Sequence, residues 1–266
     1  MPQIGCGCRV CTSADPRDRR RRCGAYVTAA DGAAFLVDTP PELRLACVEL
    51  GVSKVDAVVL THAHMDHVAG FDDLRRFNTL NGEKVPCEPG DPLYRGLPYR
   101  IVGKPMPCYA MEETVEQMHR IFPYISGKGG ANGLFRPQIE FDSAEAFSVG
   151  SVRVERLKVE HGFPCCGYLM KEKSASLAYI SDCHELPDAT VDRIRGVDVL
   201  ALNCLRERPH PTHLSLSASL SYVERIAPKK AYFVHMCHDI SHAELTEKLR
   251  DACAEPAYDG LVLNLD

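Results

Sequence analysis

Residues 58–70 read VVLTHAHMDHVAG, an apolar run that breaks into His62-x-His64-x-Asp66-His67. The β-branched residues ahead of it suit a buried strand. In extended backbone, positions i and i+2 face the same side, so His62 and His64 can hold one metal ion. Asp66 and His67 fall where the chain turns into a helix, and there they can face a second ion. A polar loop with incidental histidines is the plain alternative. Four ligand-type side chains in six positions at a strand end argue against it.

Working outward, strand-like runs alternate with helix-periodic segments. Residues 33–38 (AAFLVD) read as a strand, followed by a helix in PPELRLACVELG, with Pro at its start and Gly at its end. Residues 55–60 form a strand and GFDDLRRFN a short helix. In 111–122 the apolar Val115, Met118, Ile121 and Phe122 keep helical period. In the second half, 151–159 and CGYLMK read as antiparallel strands joined by EHGFPC. Residues 177–181, 197–202, 230–235 and 260–265 read as further strands, and 214–226 and 241–253 as helices. Such alternation predicts an α/β fold with mixed sheets covered by helices. The stretch 81–106 is rich in Pro and Gly, has no clear period, and reads as a long loop or insertion near strand ends. No internal repeat is evident, and 1–266 reads as one domain.

A chain of 266 residues has ample apolar content for a core, and a formal charge of −5 does not steer the molecule toward nucleic acid or acidic membrane surfaces. No apolar run approaches the length of a bilayer span and no secretory h-region follows Met1. Thirteen cysteines is a high and odd count. A secreted disulfide scaffold is shorter and pairs them evenly, so the expected setting is reducing and cytoplasmic, with cysteine function in metal binding. Cys47, Cys87, Cys108 and Cys253 read as ordinary buried thiols. Cys6, Cys8 and Cys11 do not: C-x-C-x2-C supplies most of a zinc site, and on ligand chemistry alone Cys23 is one candidate for the fourth donor.

H-x-H-x-D-H at a strand end resembles the metallo-β-lactamase superfamily, whose fold is an αβ/βα sandwich of two mixed β-sheets flanked by helices. The resemblance implies three later metal ligands, and VEHGFP, YISDCH and YFVHMCH supply His161, Asp182 and His235 in the required order. Together with THAHMDHVAGFDDLRRFN, HPTHLSL and HMCHD, the cysteine cluster resembles the branch containing the phosphoribosyl cyclic phosphodiesterase of bacterial phosphonate breakdown. That branch implies a closed structural zinc (1–23 being the zinc-binding loop) held by Cys6, Cys8, Cys11 and His238, with Cys237 pointing away. It also implies His213 as an active-site histidine that is not a metal ligand, leaving His210 at the surface. Relatives begin with a strand and a glycine-rich turn before the cysteines. Met1 falls near the end of that turn, so either the sequence is shortened or the first strand is genuinely lacking, and in both cases one sheet is expected to have an unpaired edge.

The implied chemistry is dinuclear hydrolysis of a small, cyclic phosphodiester. One ion would be held by His62, His64 and His161, the other by Asp66, His67 and His235, with Asp182 bridging. Two such ions lower the pKa of a shared water and orient the bridging hydroxide. Asp66 thus counts as both ligand and catalytic residue. His213 would hydrogen-bond a phosphate oxygen or protonate the leaving oxygen. Zinc and manganese both suit this donor set. Asp38 is expected to buttress the metal loop by hydrogen bonds. Arg17 and Arg19–Arg22 read as a solvated face or a phosphate contact, and Arg44, Arg75 and Arg76 as candidate anion contacts. Thioester or lactone hydrolysis, a tRNA-processing nuclease and a zinc-stabilised adaptor are the alternatives. Lack of a basic arm counts against the nuclease, and the intact ligand set against the adaptor. The expected partner is a small-molecule phosphodiester, with no membrane, and a homodimer is compatible with the sequence.

Overall fold

A computed structural model describes residues 1–88, 90, 96–126 and 136–265. The chain divides into two units: a first of Gly24–Thr28 with Ala33–Ser143, and a second of Met1–Cys23, Ala29–Gly32 and Ala144–Asp266.

In the first unit, β1 (Ala25–Thr28), β2 (Ala34–Val37), α1 (Leu43–Glu49), β3 (Ala57–Val59), α2 (Met65–Val68) and α3 (Arg75–Leu80) come first. After them follow β4 (Glu83–Pro86), β5 (Tyr99–Val102), β6 (Met106–Tyr109), α4 (Glu112–Ile121), α5 (Pro123–Ser126) and β7 (Ile139–Asp142). The five-stranded sheet runs β1-β2-β3-β6-β7, antiparallel at β1–β2 and parallel thereafter. Every residue of β2 and β3 is buried, which is why both read as unbroken apolar runs instead of alternating. Leu36, Val58, Leu60, Phe71, Leu74, Cys108 and Met118 build the core.

The expected loop at 81–106 is corrected in part: β4 and β5 pair as an antiparallel hairpin, and Met106 already belongs to β6. Most hairpin side chains are exposed or half-buried, so they leave no apolar period to read. Residues 89 and 91–95 of that segment lie outside the described residues.

The second unit holds β8 (Ala146–Val149), β9 (Val152–Lys158), β10 (Cys166–Glu172), β11 (Ala175–Ile180), α6 (Asp188–Arg193), β12 (Val199–Asn203), α7 (Leu216–Ile226), β13 (Lys230–Val234), α8 (His242–Lys248) and β14 (Ala254–Pro256). Its sheet runs β14-β13-β12-β11-β10-β9-β8, an antiparallel meander up to β11 and parallel beyond it. Helix α7 starts where the Ser215 hydroxyl accepts from the Ala218 N–H, and ends on Ala227 at φ 51°. Helix α8 starts on a reciprocal Ser241–Glu244 capping box.

The expected strand at 260–265 does not form. The closing strand is β14, paired with β13 through Ala231↔Ala254, because α8 stops at Lys248, before the expected 253. Val262, Leu263 and Leu265 lie exposed beyond it. Strands β1, β7 and β8 were not apparent from periodicity, since each has four residues and alternating half-buried faces.

Candidate metal centres and active site

Strands β2 and β3 run parallel with Val37 opposite Val59, so their carboxyl ends lie side by side. Asp38 follows β2 in the left-handed region at φ 61°, a conformation that a non-glycine residue holds only at some cost. Its fully buried carboxylate accepts from the Thr61 N–H (2.8 Å), the Thr61 hydroxyl (2.8 Å) and His67 Nδ1 (2.7 Å). A carboxylate only accepts, so His67 carries its proton on Nδ1 and keeps its lone pair at Nε2. The same logic extends one step. Thr61 spends its hydroxyl proton on Asp38, so at 3.0 Å it accepts from His62 Nδ1. His62 therefore also keeps its lone pair at Nε2.

That Nε2 lies 2.9 Å from His64 Nδ1, and Asp66 Oδ2 lies 3.6 Å from His67 Nε2. Two nitrogens bound about 2.0 Å from one tetrahedral metal stand about 3.3 Å apart. The residues present thus fit a divalent ion in donor type, tautomer and spacing. Asp38 takes the buttressing place expected of it.

In the second unit β11, β12 and β13 are adjacent and parallel, with Ile180 opposite Leu202 and Asn203 opposite Val234. Asp182 and His235, just past β11 and β13, therefore emerge at one sheet edge on either side of Asn203. Asp182 Oδ1 is 3.2 Å from His235 Nε2. His235 is the second site residue in the left-handed region, at φ 59°. His161, past β9, has Nδ1 2.8 Å from the Thr212 carbonyl, which accepts from it and again leaves Nε2 as the lone-pair nitrogen. His213 packs against His161 (ring centroids 4.9 Å) and stacks on His235 (4.8 Å). Burial, and after it His235, push His213 down to about 3. His161, Asp182 and His213 lie close enough together to share an ion.

The cysteine cluster is also within the second unit. Cys6, Cys8 and Cys11 Sγ stand 3.3, 3.4 and 3.3 Å from His238 Nδ1. Zinc–sulfur and zinc–nitrogen bonds of about 2.3 and 2.0 Å in a tetrahedron separate S from N by about 3.5 Å, so these four side chains fit a closed zinc site. Backbone N–H groups of Gln3 and Cys11 point at the Cys11 and Cys8 sulfurs. The Cys11 N–H, then the His238, Cys6 and Cys11 side chains, lower the Cys8 thiol to about 6, despite opposing desolvation. Cys11 is shifted upward, chiefly by desolvation. Neither Cys23 nor Cys237 belongs to the group among the described residues. Of the four thiols expected to be buried only Cys108 is, since Cys47 and Cys87 are half-buried and Cys253 is exposed.

The arginine run divides. Arg17 is exposed and paired with Asp15, whereas Arg20 is buried and donates to Asp18, the Cys237 carbonyl and the Ile240 carbonyl. It anchors the backbone beside His235 and His238, a role hidden in the sequence because the neighbouring arginines are solvated. Arg75 pairs with Asp72, and Arg44 and Arg76 are exposed. His210, expected at the surface, is half-buried with its ring 5.1 Å from His213. Asn203 went unread, although an amide ending the otherwise apolar strand VLALN was a visible signal.

The family model for the β-lactamase superfamily domain matches residues 34–236. A crystal structure of a new diphosphatase from the PhnP family is similar at TM-score 0.82 and 34% identity, over 100% of this chain and 93% of that one. Zinc-bound PqqB from Methylobacterium extorquens shares the fold at TM-score 0.72 and 18% identity, over 99% and 95% of the two chains. Among curated proteins, an octanoyltransferase of Porphyromonas gingivalis is 27% identical over 100% of this chain and 49% of its own length. A ribonuclease Z of Mycobacterium sp. is 27% identical over 71% and 65%. The chain spans about half the length of the octanoyltransferase it matches. It belongs to the β-lactamase superfamily, with the metallo-β-lactamase fold, and within that to the PhnP family.

Proposed function

We propose that the protein is a two-metal-dependent hydrolase of small phosphodiesters, cyclic ones first. The observation that carries this reading is the complete set of seven donors: His62 and His64 in the turn past β3, Asp66 and His67 in α2, and His161, Asp182 and His235 within three residues of the ends of β9, β11 and β13. Three of these histidines have Nδ1 committed to a protein acceptor, which presents Nε2 as the metal-binding nitrogen. Zinc or manganese, when bound, would supply Lewis acidity and a nucleophile at neutral pH.

The chain's own groups do the rest. Asp38 holds the ring orientations of His62 and His67 through Thr61 and directly. Asp182 would serve as a metal ligand, with His235 Nε2 3.2 Å from its Oδ1. His213, not needed as a ligand, is left to meet a phosphate oxygen. The Cys6–Cys8–Cys11–His238 cluster would hold a separate structural zinc. A diphosphate is the second reading, favoured by the likeness to a PhnP-family diphosphatase, and it uses the same attack at phosphorus.

A hydrolysis panel on metal-loaded protein tests the proposal: cyclic and aryl phosphodiesters, a diphosphate diester, a glutathione thioester and a lactone. Turnover of a phosphodiester is the expected outcome. Turnover of the thioester or lactone with none at phosphorus would overturn the substrate class.

A further inference from the structure

The fully buried Asn203 amide cannot be turned over. Its Oδ1 accepts from the Leu214 N–H at 2.8 Å, and its Nδ2 donates to the Ser181 carbonyl at 2.6 Å. A backbone N–H only donates and a carbonyl only accepts, so exchanging the two ends would place like against like at both contacts. The backbone of Asn203 is held as well, its carbonyl accepting from the Ser219 hydroxyl at 2.8 Å. With the amide so oriented, its remaining N–H faces His213 Nδ1 at 3.3 Å. A donor there requires an acceptor on the ring. Asp182 Oδ1 stands 3.7 Å from the same nitrogen, beyond hydrogen-bond reach.

We propose that Asn203 is a positioning residue that holds His213 as the neutral tautomer with its proton on Nε2, so that His213 gives substrate a hydrogen bond and not a proton. The distinction has chemical content. A general acid at this position would need the imidazolium, whose Nδ1–H would confront the Asn203 N–H. A neutral ring that released its Nε2 proton would be left as imidazolate, its Nδ1 facing the Asn203 N–H. Stabilisation of charge on a phosphate oxygen by a fixed N–H needs no such transfer. The same tautomer explains why His213 need not join His161 and Asp182 as a ligand, since its Nε2 carries a hydrogen in place of a lone pair. The inference rests on the reading above that His213 faces the phosphate.

The test begins with nitrogen-detected NMR of zinc-loaded, 15N-histidine-labelled protein at neutral pH. The Nε2–H tautomer at His213 is expected. A His213 found as Nδ1–H or as imidazolium overturns the proposal, whatever the enzyme hydrolyses, so this outcome is separable from failure of the substrate assignment. Asn203→Asp, which offers an acceptor, is expected to move the proton to Nδ1 and to lower kcat about 100-fold with KM little changed. Should that variant not fold, His213→Gln decides in its place. Glutamine can donate a hydrogen bond but cannot protonate a leaving group, so it should keep at least about tenfold more activity than His213→Ala. Equal rates for the two would contradict a hydrogen-bonding role.

Discussion

Asp38 shows how much one side chain can settle. Its carboxylate accepts three hydrogen bonds and, by accepting them, fixes the tautomers of His62 and His67, whose Nε2 atoms are thereby left to bind. Removing it in Asp38→Ala leaves Thr61 and His67 without their acceptor in a buried place. Divalent-metal affinity is expected to fall about 10- to 100-fold, read by competition with a chromogenic chelator, with a stability loss of roughly 1–3 kcal/mol in denaturant unfolding. His62, His64 and His67 were legible in the sequence because a strand-end H-x-H-x-D-H is a dense and ordered signal, and Asp38 because it ends an apolar strand, whereas His161, His213 and His235 were reached only through the family resemblance. Asn203 and Arg20 were not. Their roles depend on which backbone groups they meet across gaps of 11 to 220 residues, and no local period encodes that.

At the scale of elements, the site follows from parallel strands whose carboxyl ends share an edge, a placement favoured for ligand sites in α/β sheets. Gly70 closes the histidine motif where the chain passes the turn after β2. A Cβ there would sit 2.3 Å from the Pro40 carbonyl oxygen and 3.0 Å from Leu43 Cβ. Gly70→Ala is therefore expected to destabilise the protein by about 1–3 kcal/mol, measured by urea unfolding, with loss of bound metal following the strained loop.

Asp198 ties β11 to β12 by accepting from the Ser176 N–H (2.7 Å) and hydroxyl (2.6 Å), with Lys229 at 2.6 Å. Lys229, and after it Ser176, lower its pKa from 3.8 to about 2. A depressed carboxylate stabilises the fold above its unfolded pKa and loses that contribution as pH falls through the folded one. The stability gap between the protein and Asp198→Asn should thus be full near neutrality and shrink between about pH 4 and 2, read by denaturant midpoints at each pH. Long buried strands and capped helices were readable from apolar runs. The β4–β5 hairpin and four-residue edge strands were not, because too few buried positions mark them. The apolar tail at 260–265 misled in the other direction: its residues suit a strand, but β14 already occupies the edge of the sheet.

On the scale of the whole molecule, the amino-terminal loop and the segment carrying the last histidines belong to one unit, joined at several points. Cys6, Cys8 and Cys11 gather on His238, while Arg20 and Asp18 hold the backbone from Cys237 to His242. Cys8→Ser should release the zinc held there, lower the melting temperature and reduce activity together, whereas a variant at the exposed Cys253 should do none of these.

On the proposed reading, one chain would hold two kinds of metal: an exchangeable pair that does chemistry and a closed zinc that does not. Metal content and hydrolysis rate followed through staged chelation test it most directly. About three ions per chain are expected, with phosphodiesterase activity lost as the first two leave while the third stays bound. A single tightly held zinc, or activity that survives until that last ion is removed, would contradict it.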